Sequence, residues 1–297
     1  MSGEGAGQVQ GASSAPTLRV LDVLELVAGR RQPPTFSEIV RDLEMTQATA
    51  HSVLKTLVDR GWLVRTEGKS FVPGPVMAST LRGSVEARPL TQTIEAAAHG
   101  LAQQAGHRVS VLERVEHEVI VICHVDQRGR LDPTVTGSRL PFSPPYGVSL
   151  AAAADDATRR DWMARGVAAA AGIDTVQPFL RAMLEQVAHL GYHVERTTPA
   201  MAALIASLRQ LDDVTRPLRQ ATQLLMLEQL AAASKGATGI AEQSDSVVNT
   251  LDAPVLLDRG TTRHSIAIHP GAPLSAETTQ SLGAQLLAAA DLREGTR

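Results

Sequence analysis

The stretch DLEMTQATAHSVLKTLVDRGWLVR, Asp42 to Arg65, carries Gln47, Ala48, His51, Ser52, Lys55 and Asp59 at intervals that gather them on one side of an α-helix. The other side, Ala50, Val53, Leu54, Leu57 and Val58, is apolar at i, i+3, i+4, i+7 and i+8. Short donors and acceptors with one amine are what a helix needs to meet base edges in a major groove. A glutamine amide pairs in two-point fashion with adenine, histidine and serine bond to bases or phosphate, and an alanine methyl touches thymine. Lys55, two turns along, is placed for a phosphate.

Three further elements must hold such a helix. Thr46 is the expected N-cap and Gly61 the stop. Thr35 followed by Glu38 has capping-box spacing and opens a short helix from Phe36 to Leu43, while Leu18, Leu21, Leu24 and Ala28 mark a helix ended by Gly29. WLVRTEGKSFVPG reads as two strands about the turn Glu67-Gly68-Lys69. Helix, helix, turn, helix and hairpin make a winged helix-turn-helix, with Arg65, Lys69 and Ser70 as wing contacts. The expected DNA-binding set is therefore Thr46, Gln47, Ala48, Thr49, His51, Ser52 and Lys55 on the helix, plus those three.

Composition bounds the alternatives. The 297 residues suffice for two cores, and 43% hydrophobic with 20% charged residues is a globular balance. A net charge of −3 and a pI near 6.3 exclude a chain that coats nucleic acid without regard to sequence, so contact with double-stranded DNA must be local. Cys123 is the one cysteine, so the chain can form no internal disulfide and no cysteine-based zinc or iron–sulfur site. The apolar run around Cys123 suits it as a buried core side chain. No apolar run reaches membrane-spanning length and the N-terminus lacks a secretion signal, which gives the expectation of a cytoplasmic protein with no membrane contact. Residues 1–16 read as a disordered tail.

After the winged domain, expected over residues 17–75, residues 76–90 read as a linker helix and 91–297 as a second, α+β domain. Two β-rich runs flank Glu116-His117, LPFSPPYGVSLAAAA puts a proline-rich loop before an alanine-rich helix, and DAPVLL and HSIAIHP are strands ahead of a last helix from Ser275 to Leu292. The backbone amides where that loop enters its helix are a natural seat for a small carboxylate. Ser149, Ser265 and Cys123 lack a nucleophile-elbow setting, and His107, His117, His124, His264 and His269 lack metal-protease spacing, so catalysis is not expected and neither a cofactor nor a metal is called for. Residues of about 199–248 form an apolar helical insert, two helices split near Arg216-Pro217.

The run LRVLDVLELVAG through TFSEIVRDLEMTQATAHSVLKTLVDRGWLVRTEGKSFVPGPVM resembles the DNA-binding domain of the IclR (isocitrate lyase regulator) family of bacterial transcription factors. The motifs that carry it are SEI, TAH at Thr49 to His51, the Leu54 to Leu63 segment and Gly74-Pro75. The chain departs from the family at Gln47 and Ser52, where basic residues are usual, so its operator is not inferable from relatives. LPFSPPYGVSLAAA, LGYHVE and DAPVLL are similar to pieces of the family's GAF-like effector-binding domain. That resemblance implies a DNA-binding regulator, repressor or activator, controlled by a small organic effector and working as a homodimer or tetramer. It places the effector at Tyr146, Gly147, Val148, Glu195, Thr250, Ile266 and Ile268. Because Ile266 and Ile268 stand where small hydroxyls or a cysteine are frequent, the expected ligand is apolar or an aromatic acid. The alternative is an effector-independent regulator whose pocket is filled and whose C-terminal domain serves oligomerisation and partner contacts.

Overall fold

Thr35 caps the second helix: its hydroxyl accepts from the Glu38 amide at 3.4 Å while the Glu38 carboxylate accepts from the Thr35 amide at 2.7 Å, closing the capping box that starts α2 (Phe36–Asp42). The computed structural model describes residues 14–30, 32–86, 88–132, 135–170, 176–199, 225, 246–258 and 262–293. The tail expected at 1–16 lies outside these up to residue 13. The insert expected over about 199–248 lies outside them except Pro199, Leu225 and residues 246–248. The chain divides into two units, Met1–Arg88 and Pro89–Arg297.

In the first unit, α1 (Ala15–Gly29) precedes α2 and α3 (Gln47–Asp59), and β1 (Leu63–Arg65) pairs antiparallel with β2 (Phe71–Pro73). Helix α1 begins at Ala15, inside the expected tail, because Pro16 is preset for a first helical turn. Val23, Val27, Ile39, Ala50, Leu54, Leu57, Leu63 and Phe71 close one core beneath the helices and hairpin. Each large side chain so buried contributes about 1.5–3 kcal/mol. Arg30 and Asp42, 2.6 Å apart, tie the end of α1 to the end of α2. Gly74 sits where an added Cβ would lie 2.3 Å from the Gly61 carbonyl oxygen, which is why the chain can turn there into α4 (Pro75–Glu86).

The second unit has α5 (Pro89–Ala105), the hairpin β3 (Arg108–Val115) and β4 (Glu118–Val125), then β5 (Arg139–Pro141), α6 (Val148–Ala152), α7 (Asp156–Ala169), α8 (Val176–Leu190), β6 (His193–Thr197), β7 (Val247–Pro254), β8 (His264–His269), β9 (Ala272–Pro273) and α9 (Ala276–Ala290). The strands run in the order β5-β4-β3-β8-β7-β6, all pairs antiparallel, with β9 on β7. Helix α5 packs on β3 and β4, and α9 on β7 and β8; α6 packs on β7 and β8, and α8 on β6.

Side-chain alternation assigns the two faces. Val109, Val111, Cys123, Val125, Leu251, Ala253, Ile266 and Ile268 form one cluster with Ile94, Ala98, Leu101, Leu282 and Leu286 of α5 and α9. Cross-strand partners Val109 with Ile268 and Val111 with Ile266 share that face. Cys123 is buried in it, and desolvation first, with Glu95 second, pushes its thiol up to about 11. The residues between them, Ser110, His124, Asp252, Ala267 and His269, therefore take the opposite face, the one α6 covers.

Candidate functional site

On α3 the residues of the base-reading set stand as follows. Thr46 caps the helix, its hydroxyl 3.2 Å from the Thr49 amide and 2.9 Å from the Thr49 hydroxyl, so both threonines are occupied in starting the helix. Gln47, Ala48, His51 and Ser52 are exposed and project together from the first turns. Lys55 is exposed as well, but its amine pairs with Asp59 one turn on, at 2.5 Å. In the wing, Arg65 and Lys69 are exposed, and Lys69 holds a left-handed backbone (φ 61°) at the hairpin tip. Ser70 is turned inward: its hydroxyl lies 2.7 Å from that of Thr66, and its backbone bridges to Thr35. That bridge anchors the wing to the start of α2, so Ser70 shapes the wing more than it reaches from it.

In the second unit the loop before α6 is tightly held. Trp162 of α7, fully buried, donates its indole N–H to the Tyr146 carbonyl at 2.8 Å, and Arg165 donates to the Phe142 carbonyl at 3.1 Å. Gly147 adopts φ 72°, and an added Cβ would come 2.9 Å from the Phe142 ring. Tyr146 is half-buried, while Val148 is buried in a second cluster with Phe142, Trp162 and Leu180. Helix α6 is five residues long, and its Ser149 amide already donates to the Asp252 carboxylate at 3.3 Å. The seat expected there for a ligand carboxylate is thus taken by a carboxylate of the chain itself.

Ile266 and Ile268 lie away from this loop. Both are fully buried in the core beneath α5 and α9, on the face opposite α6. A strand's side chains alternate, so a one-residue difference in register moves a position through the sheet. Their neighbours Ala267 and His269 occupy the face read as apolar from the isoleucines, and that face is polar.

It carries a row of side chains across five strands. The Ser110 hydroxyl lies 2.7 Å from His124 Nδ1 and 2.8 Å from His269 Nε2, and His269 Nδ1 lies 3.4 Å from the Thr250 hydroxyl. Thr250 is the cross-strand partner of Glu195, whose carboxylate accepts from the Asn249 side-chain amide at 3.0 Å. Asp252, opposite His193, accepts from its Nδ1 at 3.1 Å and from the Ser149 amide. Ser110, His124, His193 and Asn249 are buried, and the Ser149 hydroxyl, on a fully buried residue, has no hydrogen-bond partner among the described residues. Of the expected effector residues, Glu195 and Thr250 stand in this row. Ser110, His124, Ser149, His193, Asn249, Asp252 and His269 were not anticipated as binding residues. The readable signal was a polar side chain set between apolar ones: Ser110 in VSV, His124 in CHV, and Thr250 and Asp252 in TLDAP. Among the described residues no group of three His, Cys, Asp or Glu side chains is arranged to hold a metal. Nor is any described helix long and apolar enough to cross a membrane.

Residues 16–67 match the family model of the IclR helix-turn-helix domain. No curated protein matches the chain. Several solved structures share its fold. A transcriptional regulator of Alicyclobacillus acidocaldarius superposes with TM-score 0.61 at 14% identity, covering 93% of this chain and 96% of that one. An IclR homolog of Microbacterium hydrocarbonoxydans, complexed with 4-hydroxybenzoate, gives 0.59 at 19% identity over 93% and 96%. The Thermotoga maritima IclR gives 0.53 at 14% identity over 92% and 95%.

Proposed function

We propose that the chain, whose residues 16–67 match the IclR helix-turn-helix domain, acts as a DNA-binding transcriptional regulator and not as an enzyme, and that a small organic effector controls it from the polar face of the second unit's sheet. On this reading Gln47, Ala48, His51 and Ser52 read base edges, and Lys55, Arg65 and Lys69 hold phosphates. Thr46, Thr49 and Ser70 serve from within, by fixing the start of α3 and the wing. The protein works in the cytoplasm as a homodimer or tetramer, so that two α3 helices meet two half-sites of a near-palindromic operator. Effector binding has only to favour one of two arrangements of those heads.

The observation that carries the effector reading is the buried polar row with the unsatisfied Ser149 hydroxyl beside it. Buried polar groups find partners in folded proteins, and one left without is a place where a ligand supplies the missing bond. The homolog complexed with 4-hydroxybenzoate supports the idea of a regulator that binds a small molecule. The test is footprinting of the operator while small molecules, drawn from the pathways encoded beside it, are titrated in. A saturable change in protection that Ser110→Ala and Thr250→Val shift supports the reading. Protection indifferent to every compound favours the effector-independent alternative, in which the second unit serves assembly alone.

A further inference from the structure

We infer that the effector carries a protonated amine; this rests on the reading that the polar sheet face is the effector site. The face holds two carboxylates, Glu195 and Asp252, and the imidazoles of His124, His193 and His269, joined by Ser110, Thr250 and Asn249. Among the described residues no lysine or arginine pairs with either carboxylate: Glu195 is met by Asn249, and Asp252 by His193 and the Ser149 amide. Other arginines of the second unit bond elsewhere. Arg196 reaches Thr279 of α9, Arg159 the carbonyls of Ala152 and Ala154, and Arg165 that of Phe142.

Two consequences follow for the ligand. A carboxylate brought to Glu195 would meet like charge, with no lysine or arginine among the described residues paired there to offset it. A ligand that covers Glu195 must also replace the water on its remaining lone pairs, and only a donor can do so. An ammonium does it with short charge-assisted bonds, roughly twice as strong as those from a neutral hydroxyl. The Ser149 hydroxyl supplies the second, independent pointer. It belongs to a fully buried residue of the helix that covers this face, whose own amide donates to Asp252, and it has no partner among the described residues. An amine bonded to Asp252 or Glu195 would stand within reach of a hydroxyl able to accept from it.

The test is calorimetric titration of the full-length protein, free and on its operator, with two matched sets of probes. One set is methylammonium, benzylammonium, cyclohexylammonium and putrescine; the other is acetate, benzoate, cyclohexanecarboxylate and succinate. The expected result is saturable heat from at least one amine and none from the acids. Glu195→Gln, which keeps the bond from Asn249, should weaken that amine about ten- to a hundredfold. Asp252→Asn should do likewise, with thermal unfolding of each free variant showing that it folds. Acids binding in place of amines would overturn the amine assignment while leaving the effector site standing. Binding by neither set would overturn both. An amine whose affinity ignores both substitutions would overturn the assignment to this face.

Discussion

Ser110 and His269 are 159 positions apart in the chain and 2.8 Å apart in space, hydroxyl to Nε2, with His124 Nδ1 on the same hydroxyl at 2.7 Å. One hydroxyl has one proton, so at most one of the two imidazoles accepts from Ser110 and at least one donates to it. The row from Thr250 through His269 and Ser110 to His124 is a single hydrogen-bonded unit. Ser110→Ala should therefore change the effector response by more than a lost contact, and Ser110→Ala combined with Thr250→Val should be less than additive. A double-mutant cycle on effector affinity checks this, and strict additivity would show the row to be four separate groups.

Ile266 offers the contrasting control. It packs against Val111 beneath α5 and α9, away from the polar row. Ile266→Val should lower stability by about 0.5–1.5 kcal/mol in urea unfolding and leave effector affinity within twofold. A large change in affinity with unchanged stability would put Ile266 back in the site.

The capping box predicts an acid limit for the first unit. Hydrogen bonds from the Thr35 amide, then the Thr35 hydroxyl, hold the Glu38 carboxyl below its ordinary value of 4.5. Its folded pKa is depressed, so its contribution is complete above about pH 4.5 and is lost as pH falls through the lower folded value. Thermal unfolding of wild type and Glu38→Gln from pH 7 to 3 should show a gap that is constant to about pH 5 and closes below 4.5. A gap that widens on acidification would contradict the assignment.

Gly74→Ala should disturb the wing without touching DNA. The new Cβ would fall 2.3 Å from the Gly61 carbonyl oxygen, a backbone atom that cannot swing aside. The expected cost is about 1–3 kcal/mol in denaturant unfolding, with weaker operator binding as a by-product. Unchanged stability would mean that the hairpin and α4 join more loosely than Gly74 implies.

The winged domain was legible because its signals are local. The Thr35 and Glu38 spacing, the Thr46 cap and the apolar stripe from Ala50 to Val58 each specify structure within a few residues. The polar sheet face was not legible in the same way. Ser110, Thr250 and His269 come together only when β3, β7 and β8 pair, and which side of a strand faces which layer rests on register, not on composition. Ile266 and Ile268 differ from Ala267 and His269 by one residue in a period of two, and that one residue decides the face. The α6 seat failed for a different reason: Asp252, a hundred residues downstream, fills it, and nothing near Ser149 in the sequence announces that.

The central claim is that the exposed face of α3 reads a specific operator. The most direct measurement is genomic footprinting of wild type against the Gln47→Ala, His51→Ala double variant at one fixed salt concentration. The account predicts that wild type protects a near-palindromic site and that the variant loses about 1–3 kcal/mol of discrimination for each base contact removed, while Lys55→Ala weakens all sequences alike. Protection of the same site with equal affinity by the double variant would contradict it.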